Sequence, residues 1–378
     1  MIKMDKIRCV GCSACVAICP TKALQWQTDE KGFYYPAVQK SLCVNCNLCE
    51  KVCMLSSTNR FSEGRLECPQ YYIAILKNEE ELQYCQSGGV GYGLGKAILN
   101  DSGVVYGCVY EKCVATHVRI TSKEGLKKAC GSKYVQSRIG DTYENVYKDL
   151  LGGKRVLFTG TSCYVEGLYL FLAKKKCSIE NLYTADMICH GVPSPLILRD
   201  FLDYKEEKYG SAVLSINMRN RKYAPAVCAT IQYADGQMRK DELWSELFYS
   251  RLALRDSCEN CMFTTRDKPA DITMSDITGI ADKYKRQINT GNPVSMVIVH
   301  SKKGKSLIER AELKLTAINE NEFDQPQLNY PTKRNVQKEA FWKQYRKKGF
   351  KYVLNKYTSA GGIKAKIRRK VLMKLKRW

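Results

Sequence analysis

Two short runs near the start of the chain each contain four closely spaced cysteines. Both have the spacing C-x2-C-x2-C-x3-C, and the second run repeats the first 34 positions later. In this arrangement three thiolates hold three irons of one 4Fe-4S cluster, and the fourth reaches across to the other cluster. We therefore predict two 4Fe-4S clusters, the first held by Cys9, Cys12, Cys15 and Cys53 and the second by Cys43, Cys46, Cys49 and Cys19.

Zinc is the alternative metal for these thiols. Tetrahedral zinc sites use separated cysteine pairs, whereas two four-cysteine runs in the same register favour iron–sulfur clusters. Pro20 follows the first run, as is typical of bacterial ferredoxins, but Met54 takes the matching place after the second. This difference affects the local backbone more than the ligands.

The nineteen cysteines also bear on the cellular compartment. In a large chain without a secretory signal, cysteines indicate metal ligands in a reducing cytosol rather than disulfides. The first ten residues include Lys3, Asp5, Lys6 and Arg8, and no run of eighteen apolar residues follows. Neither secretion nor a membrane span is predicted, so we expect a cytoplasmic protein.

The cysteine runs need a small domain that holds them, and the rest of the chain has a different pattern. Residues 23–38 read as a hairpin around a turn at 29–32, which predicts an α+β ferredoxin-like domain over 1–60. From residue 71 strands and helices alternate, which predicts a mixed α/β domain with a largely parallel or mixed sheet over 61–330. Residues 331–378 are predicted to form a basic helical tail. The predicted strands are 71–76, 104–109, 155–159, 182–188 and 270–274, and the predicted helices are 91–99, 143–151, 163–173, 195–209 and 243–255, with a hairpin arm over 227–236.

Five short motifs occur in order within the predicted α/β domain. They are Ser87-Gly88-Gly89, Gly131-Ser132-Lys133-Tyr134, Gly160-Thr161-Ser162-Cys163, Cys189-His190-Gly191-Val192-Pro193-Ser194 and Ala270-Asp271-Ile272. Together with the cysteine runs in front of them, they resemble the coenzyme F420 hydrogenase/dehydrogenase beta-subunit family over roughly residues 1–300. Within that family the chain is similar to the fused flavin and iron–sulfur oxidoreductases.

The resemblance implies a bound FAD. Ser87, Gly88 and Gly89 follow a predicted strand and open a predicted helix, where backbone N–H groups can hold a diphosphate. The glycines here do not fit G-x-G-x-x-G, so by sequence alone a flexible turn with a small-residue helix face is an equal alternative. The further cofactor-binding candidates are Gly131, Ser132, Lys133, Tyr134, Gly160, Thr161 and Asp276.

Four more cysteines lie in or near the family motifs, and four thiols make a complete cluster ligand set. Two follow predicted strands and two form a C-x2-C pair, namely Cys163, Cys189, Cys258 and Cys261. Strand ends converge on one crevice of an α/β sheet, so we predict a third 4Fe-4S cluster near the flavin. The alternative is that the first two are buried apolar residues and that the pair binds zinc or nothing. The other seven cysteines are predicted to be incidental or part of the core.

The chain has only three histidines. His190 lies beside Cys189 and is the candidate catalytic residue, able to donate a proton to a reduced substrate or to tune the cluster. A structural role is an equal alternative. His117 and His300 lie in apolar, strand-like segments and are predicted to be packed.

The formal net charge of +23 is concentrated at the C-terminus, where residues 331–378 hold seventeen Lys or Arg against the single acid Glu339. Apolar residues at helical spacing from Ile363 to Trp378, with eight Lys or Arg between them, predict a basic amphipathic helix. Its expected contacts are an anionic membrane surface, an acidic ferredoxin, or no partner at all. Nucleic acid would explain the charge but not the flavin-family motifs, so it is not an expected partner.

These features together predict a cytoplasmic flavin enzyme, peripheral to the inner membrane face if the tail binds lipid. The ferredoxin clusters would pass single electrons through the third cluster to FAD, which would pair them to reduce a small organic substrate. The reverse direction, with a reduced deazaflavin-type carrier as the donor, is equally compatible with the motifs. The alternative function is a non-catalytic electron-relay subunit that connects to another redox subunit.

Overall fold

The structure is a computed structural model that describes residues 5–56, 64–223, 227–277, 280, 284 and 293–362. The strands are β1 (Leu24–Thr28), β2 (Tyr34–Val38), β3 (Arg65–Leu76), β4 (Val104–Glu111), β5 (Val114–Ile120), β6 (Val156–Thr161), β7 (Leu182–Met187), β8 (Val213–Asn217), β9 (Ala229–Tyr233), β10 (Met238–Asp241), β11 (Ile272–Asp276), β12 (Ser295–Ser301) and β13 (Leu313–Ile318). The helices are α1 (Ala14–Ala17), α2 (Leu48–Lys51), α3 (Glu79–Leu82), α4 (Val90–Asn100), α5 (Lys123–Ala129), α6 (Thr142–Leu151), α7 (Ser162–Lys174), α8 (Pro195–Tyr209), α9 (Leu243–Ser250), α10 (Lys302–Arg310) and α11 (Lys338–Tyr357).

The N-terminal unit consists of one hairpin and two short helices. Strands β1 and β2 pair antiparallel from Leu24 opposite Val38 to Thr28 opposite Tyr34. The Asp29 carboxylate closes the turn by accepting the backbone N–H groups of Lys31 (3.0 Å) and Phe33 (2.8 Å). This side-chain capping is the usual reason that Asp begins a tight turn, and the predicted hairpin is confirmed.

The central element is an eight-stranded mixed sheet with the order β13-β3-β12-β11-β7-β6-β4-β5. Strands β4, β6, β7 and β11 are parallel neighbours, whereas β12 pairs antiparallel with both β11 and β3. Helices α4, α5 and α10 cover one face, and α6 and α7 cover the other. The predicted mixed α/β architecture is confirmed.

The carboxyl ends of the parallel strands meet at one edge of this sheet. β6 ends at Thr161, β7 at Met187 and β11 at Asp276. Strand β3, which runs in the same direction, ends at Leu76 just before the segment that opens α4. Ligands of open α/β sheets bind at this kind of edge, and we refer to it below as the strand-end edge.

A smaller layer packs beside the main sheet. Strands β8 to β10 form a three-stranded antiparallel sheet covered by α8, α9 and α11. The buried indoles of Trp244 and Trp342 lie in this layer. Part of the predicted basic tail packs into this layer through α11, which contacts α8 and α9 and bends at Gly349, whose φ is 76°. The predicted amphipathic helix at 363–378 lies outside the described residues.

The ferredoxin-like unit is packed into the body of the protein. Helix α1 lies against α6 and α7 and shares one apolar core with them. The hairpin turn lies on the start of α8, where a Cβ added at Gly32 would stand 2.2 Å from Leu196 Cβ. The Lys31 ammonium also pairs with Asp256 at 3.1 Å. The cysteines of this unit are consequently close to the larger domain.

Two sequence-based expectations differ from the structure. The helix predicted over 243–255 ends at Ser250, because Arg251 adopts a left-handed conformation with φ 64° and ends the helical hydrogen bonding. Strands β5, β12 and β13 were not predicted, since short apolar runs such as that of β12 do not distinguish a buried strand from a buried helix. Within the described residues, no helix has the length and apolar character required to cross a bilayer.

Candidate cluster sites and the strand-end edge

The first predicted cluster ligands lie together beneath α1, and we call them the inner set. They are Cys9, Cys12, Cys15 and Cys53. Burial raises the pKa of Cys12 and of Cys15, and the charges of the other thiols in the set raise both further. Cys53 joins Cys9 although 44 residues separate them in the sequence. The structure thus brings the fourth cysteine of the second run to the first run, as the ligand exchange predicts.

The second predicted ligands line a cavity at the outer end of the same unit, and we call them the outer set. They are Cys19, Cys43, Cys46 and Cys49. Burial alone would raise the pKa of Cys19, but backbone N–H groups of Leu24, Thr21 and Ala23 and the Thr21 hydroxyl lower it. Cys46 is exposed, and the neighbouring Val44 side chain is 63% exposed. The outer set is therefore the one closest to solvent.

Four cysteines of the larger domain line a single cavity at the strand-end edge, and we call them the third set. They are Cys163, Cys189, Cys258 and Cys261. Cys163 lies in the first turn of α7 directly after β6, and Cys189 follows β7 by two residues. Cys258 and Cys261 come from the short helical turn Asp256–Asn260 and the residue after it, ahead of β11. Adjacent parallel strands therefore explain why distant cysteines converge here.

The third set has the donor chemistry that an iron–sulfur cluster requires. The Gly191 backbone N–H donates to Cys189 Sγ at 3.3 Å, and the Thr161 hydroxyl lies 3.1 Å from Cys163 Sγ. Burial raises the pKa of Cys189 to about 11 and that of Cys258 to about 12, so thiolates here need a positive partner such as iron. Among the described residues, no three His, Cys, Asp or Glu side chains converge as a single metal ion requires. Four thiols around one cavity fit a cluster.

The inner and third sets are neighbours across a thin wall. Val10, next to Cys9, lines the cavity of the third set. Burial raises the pKa of the Tyr143 hydroxyl, and the charges of Cys12, Cys163 and Cys15 raise it further, so this hydroxyl lies near both sets. That hydroxyl donates to the Tyr164 carbonyl at 2.7 Å. Buried protein atoms therefore form the wall between the two cysteine sets.

The strand-end edge also carries a polar group of side chains beside the third set. His190 follows Cys189 directly and lies within the electrostatic influence of Asp276, the last residue of β11. Burial lowers the pKa of His190, and the Asp276 carboxylate partly offsets this. Arg219 forms an ion pair with Asp276. His190 is therefore a neutral imidazole at pH 7, next to an Arg–Asp pair.

Ser87, Gly88 and Gly89 lie at the same edge, between the end of β3 and the start of α4. Several of their groups serve the fold: the Ser87 hydroxyl donates to the Val294 carbonyl at 2.7 Å, and the Gly88 N–H donates to Ser295 Oγ at 2.9 Å. A Cβ at Gly88 would stand 2.1 Å from the Ala74 carbonyl, so only glycine fits. Val90 and Gly91 begin α4, where the first N–H groups have no intrahelical acceptor.

Comparison with known proteins covers both parts of the chain. Residues 8–56 match the family model of the 4Fe-4S dicluster domain. Residues 153–323 match the family model for the C terminus of the coenzyme F420 hydrogenase/dehydrogenase beta subunit. The chain therefore combines a segment that matches this beta-subunit family with a 4Fe-4S dicluster domain in front of it, as the motifs predicted.

Two individual proteins are similar to the chain. An uncharacterised ferredoxin of Methanocaldococcus jannaschii is 40% identical over 52 residues, which are 14% of this chain and 66% of that ferredoxin. A solved chain from the xenon-derivatised F420-reducing NiFe hydrogenase complex of Methanosarcina barkeri has a TM-score of 0.46 and 15% identity. That alignment covers 78% of this chain and 94% of the other. The beta-subunit and dicluster matches identify an iron–sulfur electron-transfer protein of the oxidoreductase type.

The predicted cofactor loop, Gly131 to Tyr134, contacts both neighbouring parts of the fold and the strand-end edge. The Lys133 ammonium lies at the end of α5 within hydrogen-bond distance of four carbonyls, including those of Ala129 (2.9 Å) and Cys130 (2.8 Å). The Ser132 N–H donates to the Gln86 side chain at 3.0 Å, and Gly131 has φ 85°. Tyr134 stacks on Phe248 and reaches towards Arg219. The loop thus joins the strand-end edge, although its lysine is used structurally.

Gly160 and Thr161, also predicted to bind the flavin, lie beside the third set of the beta-subunit domain. Thr161 lines that cavity and contacts Cys163, whereas Gly160 packs against Phe158 and His117. His117 and His300 are buried at 6% and 1% exposure, so the prediction that they are packed is confirmed.

Several residues at these sites were not predicted. Arg219 and Tyr249 complete the group around Asp276, and Lys268 and Arg255 lie beside the third set. The sequence offers one feature that could have identified Arg219, since this residue belongs to a basic stretch directly after a strand. For Arg255 the feature is a charged residue that follows the apolar stretch 252–254 just ahead of the C-x2-C pair.

Proposed function

We propose that the chain is an oxidoreductase that depends on FAD and 4Fe-4S clusters, and that it reduces or oxidises a small organic substrate or a deazaflavin-type carrier. The observation that carries the proposal is the serial order of four sites. The outer set is near solvent, the inner set lies behind it, and the third set follows at the strand-end edge. The polar group of His190, Arg219 and Asp276 at that edge comes last. Such an order suits transfer of electrons between a partner and a buried reaction site.

The outer set supports contact with a one-electron partner. Leu42 and Val44 are exposed apolar residues next to Cys46, and Lys40 and Lys51 lie exposed nearby. A surface with an apolar centre and cationic neighbours suits an acidic protein. We propose that an acidic ferredoxin or another redox subunit binds here.

The third set is proposed to hold a third 4Fe-4S cluster. Apolar side chains of Val10 and Phe263 and the buried cation Lys268 line its cavity with the four thiols. Hydrogen bonds to the sulfurs and a nearby cation favour a more negatively charged, reduced cluster.

The strand-end edge is proposed to hold FAD. When bound, FAD exchanges single electrons with the clusters and electron pairs with a substrate. The N–H groups at the start of α4 and the Arg219 guanidinium are suited to a diphosphate and a polar ring edge. Cys189 and His190 are consecutive, so the third set and this edge share one backbone segment.

His190 is proposed to relay a proton to the reduced substrate. Burial lowers the pKa of the imidazole, so it first takes up a proton from water, which the Asp276 charge favours, and then passes that proton on. The His190 carbonyl accepts the Thr332 hydroxyl at 2.8 Å, which fixes the backbone of this loop.

The remaining expectations of the sequence stay proposals as well. We propose a cytoplasmic location, with the segment 363–378 touching an anionic membrane surface or the redox partner. The division of the chain at residues 60 and 330 is likewise proposed. At the boundary near residue 330 the two parts are in contact, because residues 338–357 form α11, which packs against α8 and α9 of the larger domain.

Iron and flavin content of protein purified without oxygen tests the proposed function. Three cysteine sets and one flavin site predict about twelve irons and one FAD per chain. Eight irons with no flavin would instead leave a non-catalytic electron-relay subunit. Eight irons with one FAD would remove the third cluster alone.

A further inference from the structure

Arg255 is a fully buried cation between the inner and third cysteine sets. Its exposed fraction is 0%. Its backbone belongs to the third set's surroundings, because the Arg255 N–H donates to the Val192 carbonyl (3.0 Å) and the Cys258 N–H donates to the Arg255 carbonyl (3.1 Å). The side chain leaves this segment and enters the ferredoxin-like unit.

The guanidinium is held inside that unit by contacts on several sides. Nε donates to the Cys9 carbonyl at 2.9 Å, and Nη1 donates to Gln136 Oε1 at 3.2 Å. The Tyr35 ring centroid lies 4.1 Å from Cζ. A Cβ added at Gly11 would lie 3.3 Å from Cζ, so the guanidinium packs directly under the backbone between Cys9 and Cys12.

The charge of this guanidinium has no carboxylate partner among the described residues. Nη2 is buried without a hydrogen-bond acceptor. The nearest acid in sequence, Asp256, pairs with Lys31 and Lys338 instead. Burying an isolated ion costs several kcal/mol, so this position requires a negative charge that the protein side chains do not supply. A 4Fe-4S cluster with four thiolates carries about two negative charges.

We propose that Arg255 is a positioning residue that sets the reduction potentials of both adjacent clusters and offsets their charge. A fixed positive charge stabilises the reduced, more negative form of a cluster and therefore raises its potential. Because the guanidinium holds the Cys9 carbonyl while its own backbone holds Cys258, one residue acts on both sides of the wall. The part that concerns the third set rests on the proposed third cluster, whereas the part that concerns the inner set does not.

Lys268 is a second buried cation, and it lies beside the third set rather than between two sets. It is buried, with 3% exposure, lines the cavity of the third set and donates to the Phe263 carbonyl. Its charge acts on Cys189 and Cys261. Because Lys268 lines the third-set cavity, whereas Arg255 donates to the Cys9 carbonyl, we expect the removal of Lys268 to affect the third cluster alone.

The test is a potentiometric titration of the full-length holoprotein, followed by electron paramagnetic resonance. Arg255→Met should lower the reduction equilibrium constants of the inner and third clusters by roughly tenfold, which is about 59 mV for a one-electron couple. Lys268→Met should lower only that of the third cluster. The outer cluster should keep its potential in both variants, and Arg255→Lys should stay closer to the parent protein. Arg239, a half-buried residue of β10, replaced by Met, controls for a general loss of charge.

A second variant keeps the proposal testable if Arg255→Met does not load iron. Gln136→Glu is isosteric, and it places a carboxylate against Nη1 without removing the guanidinium. It should lower the same two potentials. Unchanged potentials in Gln136→Glu, or equal shifts of all three clusters, would overturn the proposal. The same substitutions are also made in a Cys189→Ala variant, which is expected to lack the third cluster, so that the remaining resonance signals can be assigned to the inner and outer clusters. A shift of the inner cluster in that variant shows the effect of Arg255 even if the third cluster does not exist, whereas no shift shows that Arg255 has no effect.

Discussion

Replacing Cys189 with alanine is expected to reduce the iron content from about twelve to about eight atoms per chain. The thiol lies in a loop after β7, and its three partners come from other segments. With three thiols the site no longer has a complete ligand set, whereas the inner and outer sets keep theirs. Iron analysis and visible absorption of anaerobically purified protein measure the loss.

The matched control for this variant is Cys177→Ala. Cys177 lies just beyond α7, and its thiol donates to the Ser178 carbonyl at 3.4 Å. It belongs to none of the three cysteine sets, so its removal should leave the iron content unchanged. Iron that stays near twelve in Cys189→Ala would show that this thiol is not a ligand. An equal loss in both variants would indicate general instability.

Adding one methyl group at Gly167 is expected to damage the junction between the ferredoxin-like unit and α7. A Cβ there would stand 2.9 Å from Cys12 Cβ, 3.1 Å from Cys12 Sγ and 2.9 Å from the Tyr143 hydroxyl. Alanine favours a helix interior over glycine by about 1 kcal/mol, but overpacking of a core costs roughly 1–3 kcal/mol. We expect Gly167→Ala to be destabilised and to lose much of the inner-set iron.

Thermal unfolding without oxygen, together with iron content, measures this effect. Gly152→Ala is the control, since Gly152 ends α6 with an ordinary φ of −76° and the nearest atoms lie 3.5 Å from an added Cβ. That variant should melt like the parent protein. If Gly167→Ala unfolds at the same temperature as the parent protein and keeps its full iron content, the conclusion that α7 packs closely against Cys12 is wrong.

The dicluster part of the site could be predicted because its ligands lie close together in the sequence. Spacing alone paired Cys53 with the first run, and the structure brings that thiol to Cys9. The third set was predictable for a different reason, since strand ends of a parallel sheet converge. Cys163 and Cys189 follow β6 and β7, and these strands are neighbours.

The connections between the sites could not be predicted, because they depend on tertiary packing. Nothing local in the sequence brings Tyr143 of α6 near both Cys12 and Cys163, or Arg255 under Gly11. The role of Lys133 in cofactor binding stays a prediction. Its ammonium group also contacts the carbonyls that end α5, and a long side chain near a helix C-terminus often has this use.

We propose that electrons pass from the cysteine sets of the ferredoxin-like unit to a flavin at the strand-end edge. To test this transfer, the anaerobic holoprotein is mixed rapidly with a one-electron donor, photoreduced ferredoxin, and the cluster and flavin absorbances are followed separately. We expect the clusters to bleach first and the flavin then to take up two electrons per chain. Clusters that bleach fully while the bound flavin stays oxidised would contradict it.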